Sequence, residues 1–322
     1  MQKIGNVTST ADANGEWTNG NVAAGTPPTI LDAAWLNTVQ RELANVVTGG
    51  GLALDPTNDA QVLAALKALI KGGVTGVVGE ARNARMSIAT ASATATFTAD
   101  EVIVGTALGG AQYRIGNFSK TINLATTGAG GMDTGSAPVS GYAALYVIYN
   151  PVTNASALLA VNGTSVAAPN IYSGSNMPAG YTASALVSVL PTNSSGQFKV
   201  CYQFGRDIII ASVTIASATA SGTTGTPVSF STSNATPLNA KKCSGSIGVF
   251  NNNNSGGTYS SVSVTSDLNS LGLQTAAGWS STSIGTTANF QILFTTPQML
   301  YYSPYVTAGT STLSVTCTGY SF

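Results

Sequence analysis

The sequence has no histidine and very few charged residues. Its 322 residues include 12 lysines and arginines and 12 acidic residues, 7% in all, against about 25% in a typical soluble domain. Without histidine the chain has no Ser-His-Asp or Cys-His catalytic system, no histidine metal ligand and no imidazole pH switch. Its formal net charge of zero gives no electrostatic signal for binding nucleic acid or an anionic membrane.

Cysteines and long apolar runs are also scarce. Cys201, Cys243 and Cys317 are odd in number and widely spaced, which excludes a disulfide framework and a CxxC metal site and predicts small buried side chains. No uncharged apolar run reaches the ~18 residues of a membrane-spanning helix. The first residues lack the apolar region of a secretory signal. We therefore predict no membrane insertion and synthesis in a reducing cytoplasm.

Charge is distributed unevenly along the chain. Residues 1–85 carry 13 charged side chains, whereas residues 212–322 carry three, Lys241, Lys242 and Asp267. The hydrophobic pattern changes as well, from a helical period in the first part to short apolar runs separated by turn residues. These shifts predict an N-terminal segment that differs in structure from the rest of the chain.

The N-terminal segment, residues 1–73, shows the pattern of two short helices. Thr29 with Asp32 resembles a capping box, and apolar residues recur at a spacing of three to four from Ile30 until a run of glycines at 49–51. A second cap at Asn58 with Gln61 begins another apolar stripe, which ends at Gly72-Gly73. Such a hairpin buries too little surface to be stable alone, so we predict that it packs against copies of itself.

The rest of the sequence predicts β-structure. Small and β-branched residues at 74–99 indicate an extended connector. Short apolar runs between Gly, Asn and Ser turns predict a central β domain at 100–211, with Ala143–Ile148 as its central strand, and a distal β domain at 212–322. The predicted fold class is therefore mainly β, with a small N-terminal α-helical hairpin and two β-sandwich-like domains after the connector.

No motif predicts catalysis. A glycosidase needs two carboxylates about 5–10 Å apart, and beyond residue 85 only five acids occur; an Asp133–Asp207 pair is the one such possibility that the fold could create. Gly128–Gly131 lacks the Lys-Ser/Thr of a phosphate-binding loop. No acidic, cysteine or histidine cluster has metal-ligand spacing. We predict a non-enzymatic protein with no catalytic residues, no metal and no cofactor.

The distal domain favours recognition of a ligand. Aromatic rings pack on sugar C–H groups, while hydroxyls and amides exchange hydrogen bonds with sugar hydroxyls. The candidate receptor-binding residues are Asn251, Asn252, Asn253, Asn254, Tyr259, Trp279, Tyr301, Tyr302 and Tyr305. The competing interpretation is that the aromatic residues belong to the core and the asparagines to a solvated turn. Alternation along a strand places Tyr301 and Tyr302 on opposite faces.

Four stretches near the N-terminus resemble the start of the tail fibre proteins of tailed bacteriophages and prophages. They are the segments MQKIG at 1–5, TADANGE at 10–16 and GNVAAGTPPT at 20–29, followed by WLNTVQREL at 35–43 and continuing through Leu54-Asp55-Pro56 to about residue 71. Residues 86–211, which include the segment NFSKTINLATTGAGGMD at 117–133 and MPAGY at 177–181, also resemble a β-rich domain of such fibres.

The resemblance implies a virion component. Its N-terminal segment would attach to the phage tail or baseplate, and its distal β domain would contact host surface polysaccharide or lipopolysaccharide. The family is commonly homotrimeric and implies neither a nucleic-acid partner nor membrane insertion. The attachment residues that follow from the matched segment are Trp17, Pro27, Pro28, Trp35 and Arg41.

Two other functions remain open from the sequence. One is a structural baseplate or connector protein whose distal domain bridges to another virion subunit without touching a receptor. The other is a tailspike that cleaves polysaccharide, which the scarcity of paired carboxylates argues against.

Overall fold

A computed structural model describes residues 2–72, 76–222, 227–251, 258–280 and 283–322. The chain divides into two compact units, Met1–Thr75 and Gly76–Phe322. We call them the N-terminal unit and the β unit. Each has its own local architecture, which follows from a different residue pattern.

The N-terminal unit contains two α-helices and two 3-10 turns. The turns are Ile4–Asn6 and Val22–Ala24, and the helices are α1 (Ala33–Gly49) and α2 (Gln61–Gly72). The helix α1 begins at Ala33, later than the predicted Ile30, because Asp32 is its N-cap and accepts a hydrogen bond from the Ala34 amide at 2.7 Å. Thr29 instead joins a loop network, donating from Oγ1 to the Thr10 carbonyl.

The turn before α2 is closed by its own side chains. Asn58 Oδ1 accepts from the Ala60 amide at 2.9 Å. The Gln61 side-chain amide donates to the Asp55 and Asn58 carbonyls, and its Oε1 accepts from the Asp55 amide at 2.7 Å. These bonds satisfy backbone groups that a helix start leaves unpaired. The prediction of a small N-terminal pair of helices is confirmed.

The β unit consists of antiparallel strands in two sheets. The described strands are β1 (Ala81–Arg82), β2 (Arg85–Ile88), β3 (Thr94–Gly105), β4 (Gln112–Asn123), β5 (Tyr142–Tyr149), β6 (Ser156–Asn162), β7 (Ala183–Pro191), β8 (Cys201–Phe204), β9 (Asp207–Ala220), β10 (Val228–Ser231), β11 (Lys242–Asn251), β12 (Thr258–Thr265), β13 (Gln274–Ser280), β14 (Ile284–Leu293), β15 (Met299–Val306) and β16 (Ser311–Ser321). The mainly β fold predicted from the sequence is confirmed.

Among the described residues, the larger sheet has twelve strands and the smaller has four. The larger follows the order β14-β11-β16-β9-β8-β2-β3-β7-β5-β6, with β1 and β4 also paired to β3, and the smaller follows β10-β15-β12-β13. In the larger sheet β3 meets β7 at one pair, Gly105 with Ser184. The sheet therefore has two parts, which the single residue pair between β3 and β7 joins.

Two hydrophobic cores stabilise the β unit. In the first, all eight residues of β5 are buried between the neighbouring strands β6 and β7. This confirms the central strand predicted at Ala143–Ile148. In the second, Ile247 and Val315 of the larger sheet and Val262 and Leu300 of the smaller one are buried in one cluster. Residues from about 207 onward thus form a two-sheet sandwich.

Strands occupy much of the segment predicted as a connector. Residues 81–88 form β1 and β2, and β3 begins at Thr94; in it Ala95, Phe97 and Ala99 are buried while Thr94 and Thr96 are exposed. The alternation is present in the sequence, but its apolar members are mostly alanine, which buries little area. Residues 81–82, 85–88 and 94–99 are therefore strands of the sheet rather than an extended connector.

The predicted boundary at 211/212 falls inside β9, which pairs with β8 at one end and with β16 along its length.

All three cysteines are free and buried, as predicted. Among the described residues, no helix has the length and apolar character needed to cross a bilayer.

Candidate functional site

Three aromatic side chains lie together on the outer face of the smaller sheet. Register places Tyr259 of β12 opposite Trp279 of β13. Tyr305 of β15 lies opposite Ser261, two residues further along β12. In β12 the side chains of Val262 and Val264 face the core, so alternation turns the odd-numbered positions outward. We call Tyr259, Trp279 and Tyr305 the aromatic face.

The rings of the aromatic face contact one another and remain accessible. The Tyr259 ring centroid lies 6.3 Å from that of Trp279 and 5.8 Å from that of Tyr305, the latter pair being edge-to-face. The side chain of Trp279 is 69% exposed and that of Tyr305 is 45% exposed. Aromatic pairs in this distance range stabilise each other, so the cluster is a preformed apolar surface.

Hydroxyl groups continue this face beyond the rings. Ser261 follows Tyr259 on the same side of β12 but is buried. Ser263, the next residue on this side, pairs with Thr275 of β13, and their side-chain oxygens are 2.7 Å apart. Ser303 of β15 lies opposite Ser263. Sequence reasoning missed these serines and threonines because their places beside the aromatic rings depend on strand register.

The charged residues nearest to the aromatic face in sequence interact with groups outside it. Lys242 forms an ion pair with Asp207 at 3.7 Å. Asp267 lies in the turn after β12, where its carboxylate accepts from the amides of Leu271 and Asn269; the Leu271 amide is the main cause of its lowered pKa. The aromatic face itself is uncharged, because its strands carry only neutral outward side chains.

The structure separates the two adjacent tyrosines. Tyr301 lies on the outer side of β15, and its hydroxyl donates to the Met299 sulfur at 3.3 Å. It is four residues from Tyr305, about 13 Å along the strand. Tyr302 faces inward, where it packs on the second core with its ring centroid 6.0 Å from that of Phe230. It is a core-facing residue and does not join the aromatic face.

The asparagine run divides between a buried residue and an undescribed part of the chain. Asn251 is 1% exposed, and its side-chain amide donates to Ser260 Oγ at 3.0 Å and to the Ala308 carbonyl at 3.1 Å. The bond to Ser260 links β11 to β12. Because the Asn251 side chain is buried, it does not contact a receptor at the surface. Asn252, Asn253 and Asn254 lie outside the described residues.

The predicted attachment residues lie on or near the surface of the N-terminal unit. Trp17 and Trp35 pack edge-to-face with ring centroids 5.3 Å apart, and Trp35 Nε1 donates to the Gln2 carbonyl at 3.2 Å. Pro27 and Pro28 are exposed, as is Arg41 on α1. The tryptophans thus fix the chain against the start of α1, while the prolines and the arginine remain accessible.

The N-terminal unit exposes much more apolar surface than it buries. Its buried hydrophobic residues, among those described, are Ile4, Val47 and Ala65. Its exposed large apolar side chains are Trp17, Val22, Ile30, Leu31, Leu36, Leu43, Leu52, Leu54, Leu63, Leu66, Leu69 and Ile70. Leu43, Leu54 and Val62 also line a groove of about 490 Å³ at the turn between the helices.

The two acids considered for catalysis have different neighbours. Asp207 accepts a hydrogen bond from Ser321 and pairs with Lys242, whereas Asp133 accepts from the Tyr172 hydroxyl at 3.0 Å. Neither carboxylate contacts the other. In the part of the chain that the structure describes, no three His, Cys, Asp or Glu side chains form a metal-binding group.

No family model matches the sequence, and no curated protein matches it. Among solved structures, the chain has a weak likeness to the crystal structure of a Bacillus thuringiensis Cry1Da tryptic core variant. That likeness has 9% sequence identity and a TM-score of 0.20, and it covers 79% of this chain and 54% of the other. The chain thus spans about half the length of that structure. A TM-score this low does not indicate a shared fold.

Proposed function

We propose that this chain is a tail fibre protein of a tailed bacteriophage or prophage that binds glycans of the host bacterial surface. Its N-terminal segment attaches it to the tail or baseplate, and the distal part of the β unit makes the receptor contact. The protein acts by binding and not by catalysis, and it belongs to the virion.

The observation that carries receptor binding is the aromatic face. Exposed aromatic rings beside serine and threonine hydroxyls match the two sides of a sugar, because rings cover the C–H groups and hydroxyls exchange hydrogen bonds with the ring hydroxyls. Trp279 offers the largest exposed ring of the three. We therefore assign Trp279 and Tyr305 as the main receptor contacts, with Tyr259 holding both rings in place.

The N-terminal unit supports the attachment role and a homotrimer. A segment with three buried apolar residues and a dozen large exposed ones has more apolar surface than a free monomer usually exposes. Burying it against the tail or baseplate and against two copies of the chain removes that surface from water. Three linked copies would also multiply weak glycan contacts through their effective concentration.

The substitution Trp279→Ala tests receptor binding. We expect the full-length variant to bind cells of the host bacterium about tenfold more weakly, which corresponds to about 1.4 kcal/mol, because the largest exposed ring for stacking is lost. Binding of labelled protein to cells is measured by flow cytometry, with purified host lipopolysaccharide as competitor. Since the face is uncharged, raising the salt concentration should change this binding little.

Phe250→Ala is the matched control. Phe250 is 53% exposed on β11, where alternation with the buried Val249 places it on the outer side of the larger sheet. This variant should bind as the parent protein does. Equal binding by the parent and Trp279→Ala would contradict the assignment of the aromatic face. A protein that ignores host cells and captures another virion subunit would indicate the structural connector instead.

A further inference from the structure

A small cleft in the first half of the β unit has no role in the function proposed above. It lies between the end of β6 and the segment 166–174 and has a volume of about 200 Å³. Pockets for drug-sized ligands measure about 300–1,000 Å³, so this cleft suits a smaller occupant. Its lining includes Asp133, Tyr146, Asn162, Val166, Pro169 and Tyr172.

The segment that forms one wall is fixed, although it contains no helix or strand. The Asn239 side chain forms two hydrogen bonds with the backbone of Ala168, at 2.9 and 2.7 Å. The Tyr172 amide donates to Ser184 Oγ at 2.9 Å, and the Leu186 amide donates to the Asn170 carbonyl at 2.9 Å. The cleft is therefore preformed, which lowers the entropy cost of binding.

Gly174 lies close against Tyr172 at the side of the cleft. A Cβ atom added at Gly174 would collide with the hydroxyl and ring of Tyr172. A residue with a side chain at this position would displace Tyr172 or the loop. The glycine thus lets the chain pass close to the Tyr172 hydroxyl.

Both tyrosine hydroxyls in the cleft are already engaged. Tyr146 donates to the Pro169 carbonyl at 2.7 Å. Tyr172 donates to Asp133 Oδ2 and accepts from the Asn176 amide at 3.1 Å. Burial raises the pKa of both phenols, so they keep these donor roles at neutral pH. The two rings pack edge-to-face with centroids 5.7 Å apart, and because both residues are buried, they form the floor that supports the cleft.

The Asp133 carboxylate retains acceptor capacity. Its oxygens accept from Tyr172 and from the Thr134 amide at 2.8 Å, which uses two of about four lone-pair sites. No lysine or arginine among the described residues forms an ion pair with it. The carboxylate is thus suited to accept hydrogen bonds from two adjacent hydroxyls, and its charge disfavours an anionic ligand.

We infer that this cleft is a binding site for one neutral sugar ring. The carboxylate of Asp133 accepts hydrogen bonds from two neighbouring hydroxyls, and the exposed side chains of Val166 and Pro169 cover the C–H side of the ring. Asn162 lies at the exposed rim, where its Oδ1 accepts from the Thr164 amide at 3.0 Å. This inference stands apart from the aromatic face and does not depend on the protein being a tail fibre.

The test uses the full-length protein and the methyl glycosides of galactose, glucose, mannose and N-acetylglucosamine. We expect at least one of them to bind with a millimolar dissociation constant by isothermal titration, and galacturonate to bind about tenfold more weakly. Asp133→Ala should weaken the neutral glycoside about tenfold or more. Ser173→Trp, at the exposed rim of the segment, should block the cleft without altering its core contacts.

Asp207→Ala and Phe250→Ala are the controls. Asp207 is an exposed acid that contacts Ser321 and Lys242, and Phe250 lies on the outer side of the larger sheet, so both variants should bind the glycoside as the parent does. Circular dichroism confirms that each variant is folded. The inference is overturned if none of the four glycosides binds, or if binding survives both Asp133→Ala and Ser173→Trp.

Discussion

Burial makes the Cys201 thiol an unusually weak acid. Its surroundings raise the pKa of Cys201 to about 12, while a cysteine in an unfolded chain titrates near 8.5. Burial also raises the pKa of Tyr142, Tyr146 and Tyr320. At pH values between the pKa of such a group in the unfolded chain and its pKa in the folded protein, the folded protein keeps a proton that the unfolded chain releases.

This difference predicts a loss of stability at alkaline pH. The free energy of unfolding should be unaffected by Cys201 below about pH 8.5 and should fall as the pH rises toward 12, by up to about 1.4 kcal/mol per pH unit. The tyrosines add to the fall above about pH 10. Guanidinium unfolding at several pH values measures it. Cys201→Ala should show a shallower decline between about pH 8.5 and 10; an unchanged slope would contradict the prediction.

Individual residues show how much of the candidate site could be predicted from the sequence. Alternation correctly separated Tyr301 from Tyr302, because neighbouring residues of a strand point to opposite faces. Alternation could not predict which of the two tyrosines faces inward, because that depends on the larger sheet, which packs against the smaller sheet that contains β15. Asn251 was misassigned to a surface loop because β11 continues one residue further than its apolar pattern, ending at a buried amide.

At the scale of elements, strands that are not neighbours in the sheet are joined by one buried amide. Gln203 of β8 is fully buried. Its Nε2 donates to the Val187 carbonyl of β7 at 2.8 Å and to the Gly205 carbonyl at 2.7 Å, and its Oε1 accepts from Ser188 Oγ at 2.6 Å. The residue satisfies the buried Ser188 hydroxyl and Val187 carbonyl and the part-buried Gly205 carbonyl.

Replacing this amide should therefore destabilise the β unit. Gln203→Leu keeps a similar volume but leaves the Ser188 hydroxyl and two carbonyls without these bonds, and we expect the free energy of unfolding to fall by about 2–4 kcal/mol. Urea unfolding followed by circular dichroism measures the change. Gln291→Leu, at an exposed position of β14, should change stability by less than about 0.5 kcal/mol. Equal stabilities of the two variants would contradict this account.

Elements were predictable where the residue pattern is strong. The helices α1 and α2 carry apolar stripes with caps and glycine stops, and β5 is a continuous apolar run, so each was located within a few residues. The strands β1 and β2 and the first half of β3 were not, because serine, threonine and alanine give little contrast between faces. The pairing of β9 with β16 depends on contacts about a hundred residues apart, which local patterns do not encode.

At the scale of the whole molecule, the exposed apolar side of α2 points to assembly. Leu63, Leu66 and Ile70 recur at helical spacing and are 57%, 45% and 73% exposed. Residues at this spacing share one face of a helix. A monomer would leave that face in water, whereas association of copies buries it, so the N-terminal unit is where we expect the proposed homotrimer to form.

Leu66→Glu tests this assembly. Light scattering should give the parent protein about three times the 32.3 kDa of one chain, and the variant a lower mass, because a carboxylate in an apolar interface is costly to desolvate. The matched control is Lys67→Glu, which places the same side chain at the adjacent exposed position and should leave the mass unchanged. Equal helix content by circular dichroism separates lost association from unfolding. A parent protein that has the mass of one chain at micromolar concentration would show that this face is covered by another virion protein or remains in solvent, and would remove the homotrimer.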